Sequence, residues 1–318
     1  MLTLFLCIAI GFALRRTNVL PESSGKAMAK LENWVFCPAL SFMTMARYCT
    51  VEKLSVHAVN VLLSICALSI ALIMAIPLTK MFVKKKSSER GVYAYALTFG
   101  NFGYLGDSLI QGLFGDEMLS YYKLFTLSFS ILVYTWGISV LVPSGEQKDN
   151  PLKKILNAPT VALLLGMIVG LTGTTAYIPN FITGTLDSLK ACMGPVAMLL
   201  AGFTVAGYNI KDMLSNKKVY IATALRLVIL PAVIISSLFG IKELINLVFA
   251  LNINNTVLFL AFFAVAAPLG LNTIVFPEAY GGNPKTGAGM AMISHTLSVI
   301  SIPLLYALMV VIFGTPVL

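Results

Sequence analysis

Apolar residues run in stretches of ~20 along most of the chain, separated by short polar segments. This pattern predicts membrane-crossing helices rather than the alternating ~10-residue strands of an outer-membrane barrel. The stretches are residues 1 to 18, 27 to 46, 54 to 83, 91 to 115, 118 to 142, 158 to 175, 182 to 207, 217 to 240, 256 to 282 and 284 to 313. Two of these ten are interrupted in the middle, the fourth by GNFGYLGDS at 100 to 108 and the ninth by APLGLN at 267 to 272. A helix broken inside hydrocarbon exposes N–H and C=O groups that lipid cannot satisfy, so each break is expected to be buried in protein or to line a polar cavity. Two such breaks in corresponding places point to a transport site near the bilayer midplane.

The one sizeable polar stretch, residues 143 to 157, reads as a linker too short to be a domain. It divides the chain into residues 1 to 142 and 158 to 318, five predicted helices each. Because five is odd, the second half enters the membrane from the opposite side. The expected fold is therefore an all-α membrane protein of ten transmembrane helices in two inverted five-helix repeats. A shift of 166 supports the duplication, relating Gly115 to Gly281 (281 − 115) and Ser128 to Ser294 (294 − 128).

Composition strengthens the membrane reading, since 58% of residues are hydrophobic and only 11% charged, against about 25% charged in soluble domains. The formal net charge of +9 is explained by orientation rather than by nucleic acid. With alternating spans, Arg15, Arg16, Lys26, Lys30, Lys80, Lys84, Lys85, Lys86, Arg90, Lys148, Lys153, Lys154, Lys211, Lys217, Lys218 and Lys285 fall at or near one face, and only Arg47, Lys53, Lys123 and Lys242 at the other. Positive loops stay inside, which predicts a cell-membrane protein with a cytoplasmic linker and both termini extracytoplasmic. The first apolar run precedes Arg15 and Arg16, the reverse of a secretory signal, and is expected to remain in the mature protein. Cys7, Cys37, Cys49, Cys66 and Cys192 are odd in number and lack CxxC spacing, so they read as packing residues without a metal or disulfide framework.

Candidate chemistry concentrates in the breaks. Gly100, Gly103 and Gly106 permit unwinding, Asn101 offers an amide, and Asp107 places a charge at depth. In the second break Pro268 frees a carbonyl, Gly270 loosens the turn and Asn272 offers another amide. Half-helix N-termini with unpaired amides favour an anion. Freed carbonyls would equally suit a proton or sodium ion. Asn101, Gly103, Pro268, Gly270 and Asn272 are thus substrate-binding candidates, with Lys190 as a further contact, although Lys190 and Asp187 could pair at i, i+3. Arg226 inside the eighth span is a candidate substrate contact in the same way, with structural pairing as its other reading. Asp107 and His295 are candidates for a coupling ion or proton, and Glu278 for the same role or a cytoplasmic position.

Catalysis finds little support. His57 and His295 are the two histidines, and there is no HExxH, zinc-ligand cluster or GxSxG elbow. Gly106-Asp107 shares its ending with the GxGD of intramembrane aspartyl proteases, but the spacing is GxxGD and no YD accompanies it. Neither enzyme activity nor a cofactor is expected.

GFALRR, CPALSF, NFGYLG, APLGLNTIVFPEAYGG and TLSVISIPLL, taken in order, resemble the bacterial auxin efflux carrier family over nearly the whole chain. The resemblance implies the fold of plant PIN carriers and bile acid sodium symporters. In it helices 1, 2, 6 and 7 form a scaffold that often dimerises, and helices 3 to 5 and 8 to 10 form a transport domain whose broken helices 4 and 9 cross. By position, Asn101 and Pro268 would sit at the crossover. It also implies small organic anions, such as malate, malonate or auxin-like carboxylates, as substrates. Ser108 stands where the first crossover often has Pro, and Asp107 adds a charge beside the anion site. The expected function is secondary active transport by alternating access, the alternatives being a sodium- or proton-coupled symporter of another small solute or an anion channel.

Overall fold

The computed structural model describes residues 2–84, 87–141, 156–207, 217–270, 272–274 and 285–317. Residues 143 to 155 of the linker, Glu278 and Gly281 lie outside the described residues. Among the described residues the regular structure is helical, with one isolated antiparallel bridge and no strand. The helices are α1 Leu2–Arg16, α2 Ser24–Leu31, α3 Cys37–Tyr48, α4 Leu54–Phe82, α5 Ser88–Thr98, α6 Asp107–Phe125, α7 Leu127–Leu132 and α8 Ile138–Leu141, then α9 Ala158–Thr172, α10 Asn180–Ala206, α11 Lys217–Ala224, α12 Leu230–Phe249, α13 Thr256–Val265 and α14 Lys285–Phe313.

Four wide, π-type turns interrupt these segments among the described residues: Glu32–Phe36, Phe102–Gly106, Val133–Gly137 and Leu225–Ile229. Prolines account for two of them. Pro38 and Pro231 follow the first and last by two residues. Having no N–H to offer Trp34 and Leu227 four positions back, each favours a locally widened ladder over a regular one.

Val51–Phe82, Asn180–Ala206, Lys217–Phe249 and Thr286–Phe313 are long and apolar enough to cross a membrane, and Phe102–Phe125 with Leu127–Leu141 makes a fifth if counted as one span. Among the described residues that is fewer than the ten expected from apolar stretches. The second and fourth stretches are divided at residues 32 to 36 and 99 to 106, while α9 and α13 have 15 and 10 residues. At 1.5 Å per residue, such lengths fall short of ~30 Å of hydrocarbon.

Chain contacts define two compact units. The first holds Met1–Ala58, Gly103–Leu124 and Asp149–Tyr208. Within it α1 lies against α10 and α9 against α3 at glycines. A β-carbon on Gly11 would collide with Leu199 O, one on Gly202 with Ile8 O, and one on Gly166 would sit 2.5 Å from Phe42 O. Small residues let helix backbones approach closely, the packing device suited to lipid.

The second unit holds Val59–Phe102, Phe125–Lys148 and Asn209–Leu318. Its core includes all of α13, whose residues are all buried, and the α5 rings Tyr93 and Tyr95. Ile73, Leu247 and Val311 stay exposed, as side chains facing lipid would.

Candidate functional site

In the second unit the two sequence breaks meet. Helix α5 ends at Thr98 because Phe99 turns extended, with φ −114° and ψ 128°. Gly100 then forms an antiparallel bridge with Leu269, and the Asn101 N–H donates to Pro268 O at 2.6 Å. The glycines permit this approach. A β-carbon on Gly100 would collide with Arg226 Nη2 and lie 2.7 Å from Ala267 O, and one on Gly270 would lie 3.2 Å from Gly100 O.

Side chains satisfy the groups that the breaks release. The Leu269 N–H donates to Ser294 Oγ at 3.0 Å, and the Asn272 amide donates to the Tyr95 hydroxyl at 3.2 Å. His295 Nδ1 is 2.8 Å from Ala291 O and its Nε2 is 3.3 Å from Asn101 Nδ2. A carbonyl can only accept, so Nδ1 carries the proton, and Nε2 of the neutral ring accepts from the Asn101 amide. Asn101 is thereby held on one side by Pro268 and on the other by His295.

Arg226, 1% exposed, is carried on the Leu225–Ile229 turn. Its Nη1 lies 3.4 Å from Leu97 O and 3.5 Å from Thr98 O, at the C-terminal end of α5. Carbonyls left over at a helix end carry partial negative charge, and a cation there is favoured. Arg226 thus meets backbone carbonyls, a partner that sequence spacing does not reveal.

The first unit contains the charged candidates. Asp107, 1% exposed, opens α6 and pairs with buried Lys123. Sixteen residues of straight helix would separate them by about 24 Å. They meet because Gly115, at φ 82° and ψ −176°, reverses the chain between them. The left-handed backbone region admits glycine without steric cost. Charge counting alone puts Lys123 at a membrane face, whereas the structure buries it.

Lys190 Nζ lies 2.6 Å from Asp116 and 3.6 Å from Asp187, and Asp187 takes a two-pronged bond from Arg47 at 2.7 and 3.0 Å. The expected i, i+3 pair therefore exists but is the longer contact, because Asp116 and Arg47 offer closer geometry. Gly103 has open space where a β-carbon would be. Asn101, Pro268, Gly270, Asn272 and His295 share the second unit, while Gly103, Lys190 and Asp107 belong to the first. Ser128 and Ser294 differ in role, since Ser128 bonds Ser64 whereas Ser294 holds the second break. Sequence reading missed Glu32, wholly buried in the Glu32–Phe36 turn. A carboxylate within the apolar span 27 to 46 was the available signal.

An all-helical, lipid-compatible chain whose interrupted helices are paired and stabilised by buried polar groups defines the class of polytopic membrane transport proteins. The family profile described as "Membrane transport protein" matches residues 1–306, and the chain belongs to this family, that of the auxin efflux carriers. A relative from Methanocaldococcus jannaschii, named "Uncharacterized transporter MJ1031", is 24% identical over 307 residues, covering 95% of this chain and 96% of the relative.

Proposed function

We propose that this protein is a secondary active transporter of a small organic anion, a carboxylate such as malate, malonate or an auxin-like acid, working by alternating access. In this reading ten transmembrane helices form two inverted repeats, helices 4 and 9 cross at the paired breaks, and helices 1, 2, 6 and 7 form a dimerising scaffold in the cell membrane. Both termini are extracytoplasmic. The observation that carries the reading is the junction of Gly100 and Asn101 with Pro268 and Leu269. Such junctions place backbone donors and acceptors where hydrocarbon supplies none.

The side chains gathered there are Tyr95, Asn101, Arg226, Asn272, Ser294 and His295, five of them uncharged or neutral as bonded and one cationic. That balance suits an anion, which gains charge-assisted hydrogen bonds on entering a preorganised neutral-to-positive setting. Asn101, Pro268, Gly270 and Asn272 are its proposed contacts.

A thermal-shift screen of purified protein against small carboxylates, with and without sodium and across pH, tests the substrate class. A ligand at about 100 times its Kd adds roughly 2.7 kcal/mol of apparent stability. Stabilisation by dicarboxylates or aryl carboxylates supports the reading, and stabilisation confined to cationic or neutral solutes contradicts it. For orientation, Ser144→Cys in a cysteine-free background should resist an impermeant thiol reagent applied outside intact cells, and labelling there would reverse the topology.

A further inference from the structure

Glu32 is 0% exposed, and neither carboxylate oxygen has a hydrogen-bond partner among the described residues. Its neighbours show that the burial is by protein, because Leu31 and Trp34 on the same segment remain exposed. The side chain sits at the start of a π-type turn whose last backbone bond runs from the Cys37 N–H to the Glu32 carbonyl. A fully charged carboxylate in this setting has lost its water without gaining a donor, a cost that neutralisation avoids.

The ionisable groups on the packed elements do not remove that cost. On α2, Lys26 and Lys30 are exposed. Along α3 lie Cys37, Arg47 and Tyr48, with Arg47 bonded to Asp187. Helix α10 carries Asp187, Lys190 and Cys192, with Lys190 bonded to Asp116, and α9 carries no ionisable side chain. Tyr104 reaches the same turn through Asn33, donating its hydroxyl to Asn33 Oδ1 at 3.0 Å. Cys37 is near enough to Lys123, Asp107 and Glu32 to feel the charge of each, but Lys123 is already paired with Asp107.

We propose that Glu32 is a proton-binding site of the transport cycle, loaded in the conformation described here and unloaded when movement of the turn admits water. A proton suits the geometry better than a metal cation. A hard cation needs several oxygen ligands, whereas no three His, Cys, Asp or Glu side chains among the described residues are placed to hold a metal ion, and a carboxyl binds a proton by forming a single O–H bond. The π-type turn supplies a place where a small change in the ladder can expose the group, and such turns recur at functional positions. Unloading breaks that O–H bond, leaving the electron pair on Glu32 and passing the proton to water. This inference rests on the transporter reading for its meaning but not for its test.

Infrared titration of the purified protein gives the direct test. The parent should show a protonated-carboxyl carbonyl band near neutral pH that disappears at alkaline pH and is missing from Glu32→Gln. A band that survives in Glu32→Gln, its absence from the parent, or a carboxylate signal that responds to sodium rather than pH would overturn the site. Proteoliposomes enclosing a pH dye and given a malonate gradient test coupling. Malonate entry should move protons in the parent, while Glu32→Gln should carry malonate without them. Protons moved equally by both proteins, or malonate carried by the parent with none, would reject coupling through Glu32. If malonate crosses neither membrane, malonate fails as a substrate, and the infrared result still decides whether Glu32 binds the proton.

Discussion

Two turns of the same type, each followed by a proline, bury ionisable side chains of opposite kind in opposite ways. The Leu225–Ile229 turn places Arg226 against the terminal carbonyls of α5, whereas the Glu32–Phe36 turn buries a carboxylate that receives no hydrogen bond among the described residues. The first arrangement offsets desolvation with a helix end and ties a cation to the paired breaks. The second stores no such compensation. A compensated charge is expected to behave as structure, and an uncompensated one as a group that changes state.

The largest effect should come from removing the space on which the Arg226 arrangement depends. Gly100→Ala would press a methyl group into Arg226 Nη2 and against Ala267 O. Overpacking usually costs about 1 to 3 kcal/mol, occasionally more. The Ala267 carbonyl is backbone and cannot swing aside as the end of the Arg226 side chain can, so the loss should reach the top of that range, read as a fall in folded yield and thermal midpoint. A near-parental Gly100→Ala would mean that the junction is loosely held.

Arg226→Gln comes next, with a smaller but still large loss. It removes the long contacts to Leu97 O and Thr98 O and the attraction of a buried cation to the end of α5, worth on the order of 1 to 2 kcal/mol. Detergent unfolding should show destabilisation of that order. The smallest effect should be that of Glu32→Gln, within roughly 1 kcal/mol of the parent at neutral pH, because no bonded partner is orphaned. If the two substitutions proved equally costly, the contrast between the turns would be lost.

The sequence reveals helices, breaks and their chemistry more readily than it reveals partners. Glycine, asparagine and proline in apolar runs mark Gly100, Asn101, Pro268 and Gly270, since each alters backbone hydrogen bonding in a way visible residue by residue. The reversal near residue 115 is legible too, and Gly115 makes it. Arg226, Lys123 and Glu32 are less legible because their meaning depends on contacts distant in sequence. Arg226 is stabilised by carbonyls, groups that every residue has and that no side-chain pattern announces. Lys123 is counted as a surface charge until the turn at Gly115 brings it to Asp107. The divisions within spans are hidden for a related reason, since apolar length does not show where a π-type turn or extended residue interrupts a helix.

If the paired breaks form the substrate site, substitution of Asn101 should reveal it. Its backbone N–H holds Pro268 O and its side-chain amide meets His295, so substitution of the side chain leaves the backbone junction in place. Losing one hydrogen bond to a charged ligand costs about 1.5 to 3 kcal/mol, or roughly tenfold to a hundredfold in affinity. The decisive measurement is concentration-dependent uptake, by proteoliposomes of parent and folded Asn101→Ala protein, of the carboxylate that stabilises the parent. Half-saturation should shift upward by about tenfold to a hundredfold, whereas parental affinity with parental uptake would mean that the substrate binds elsewhere.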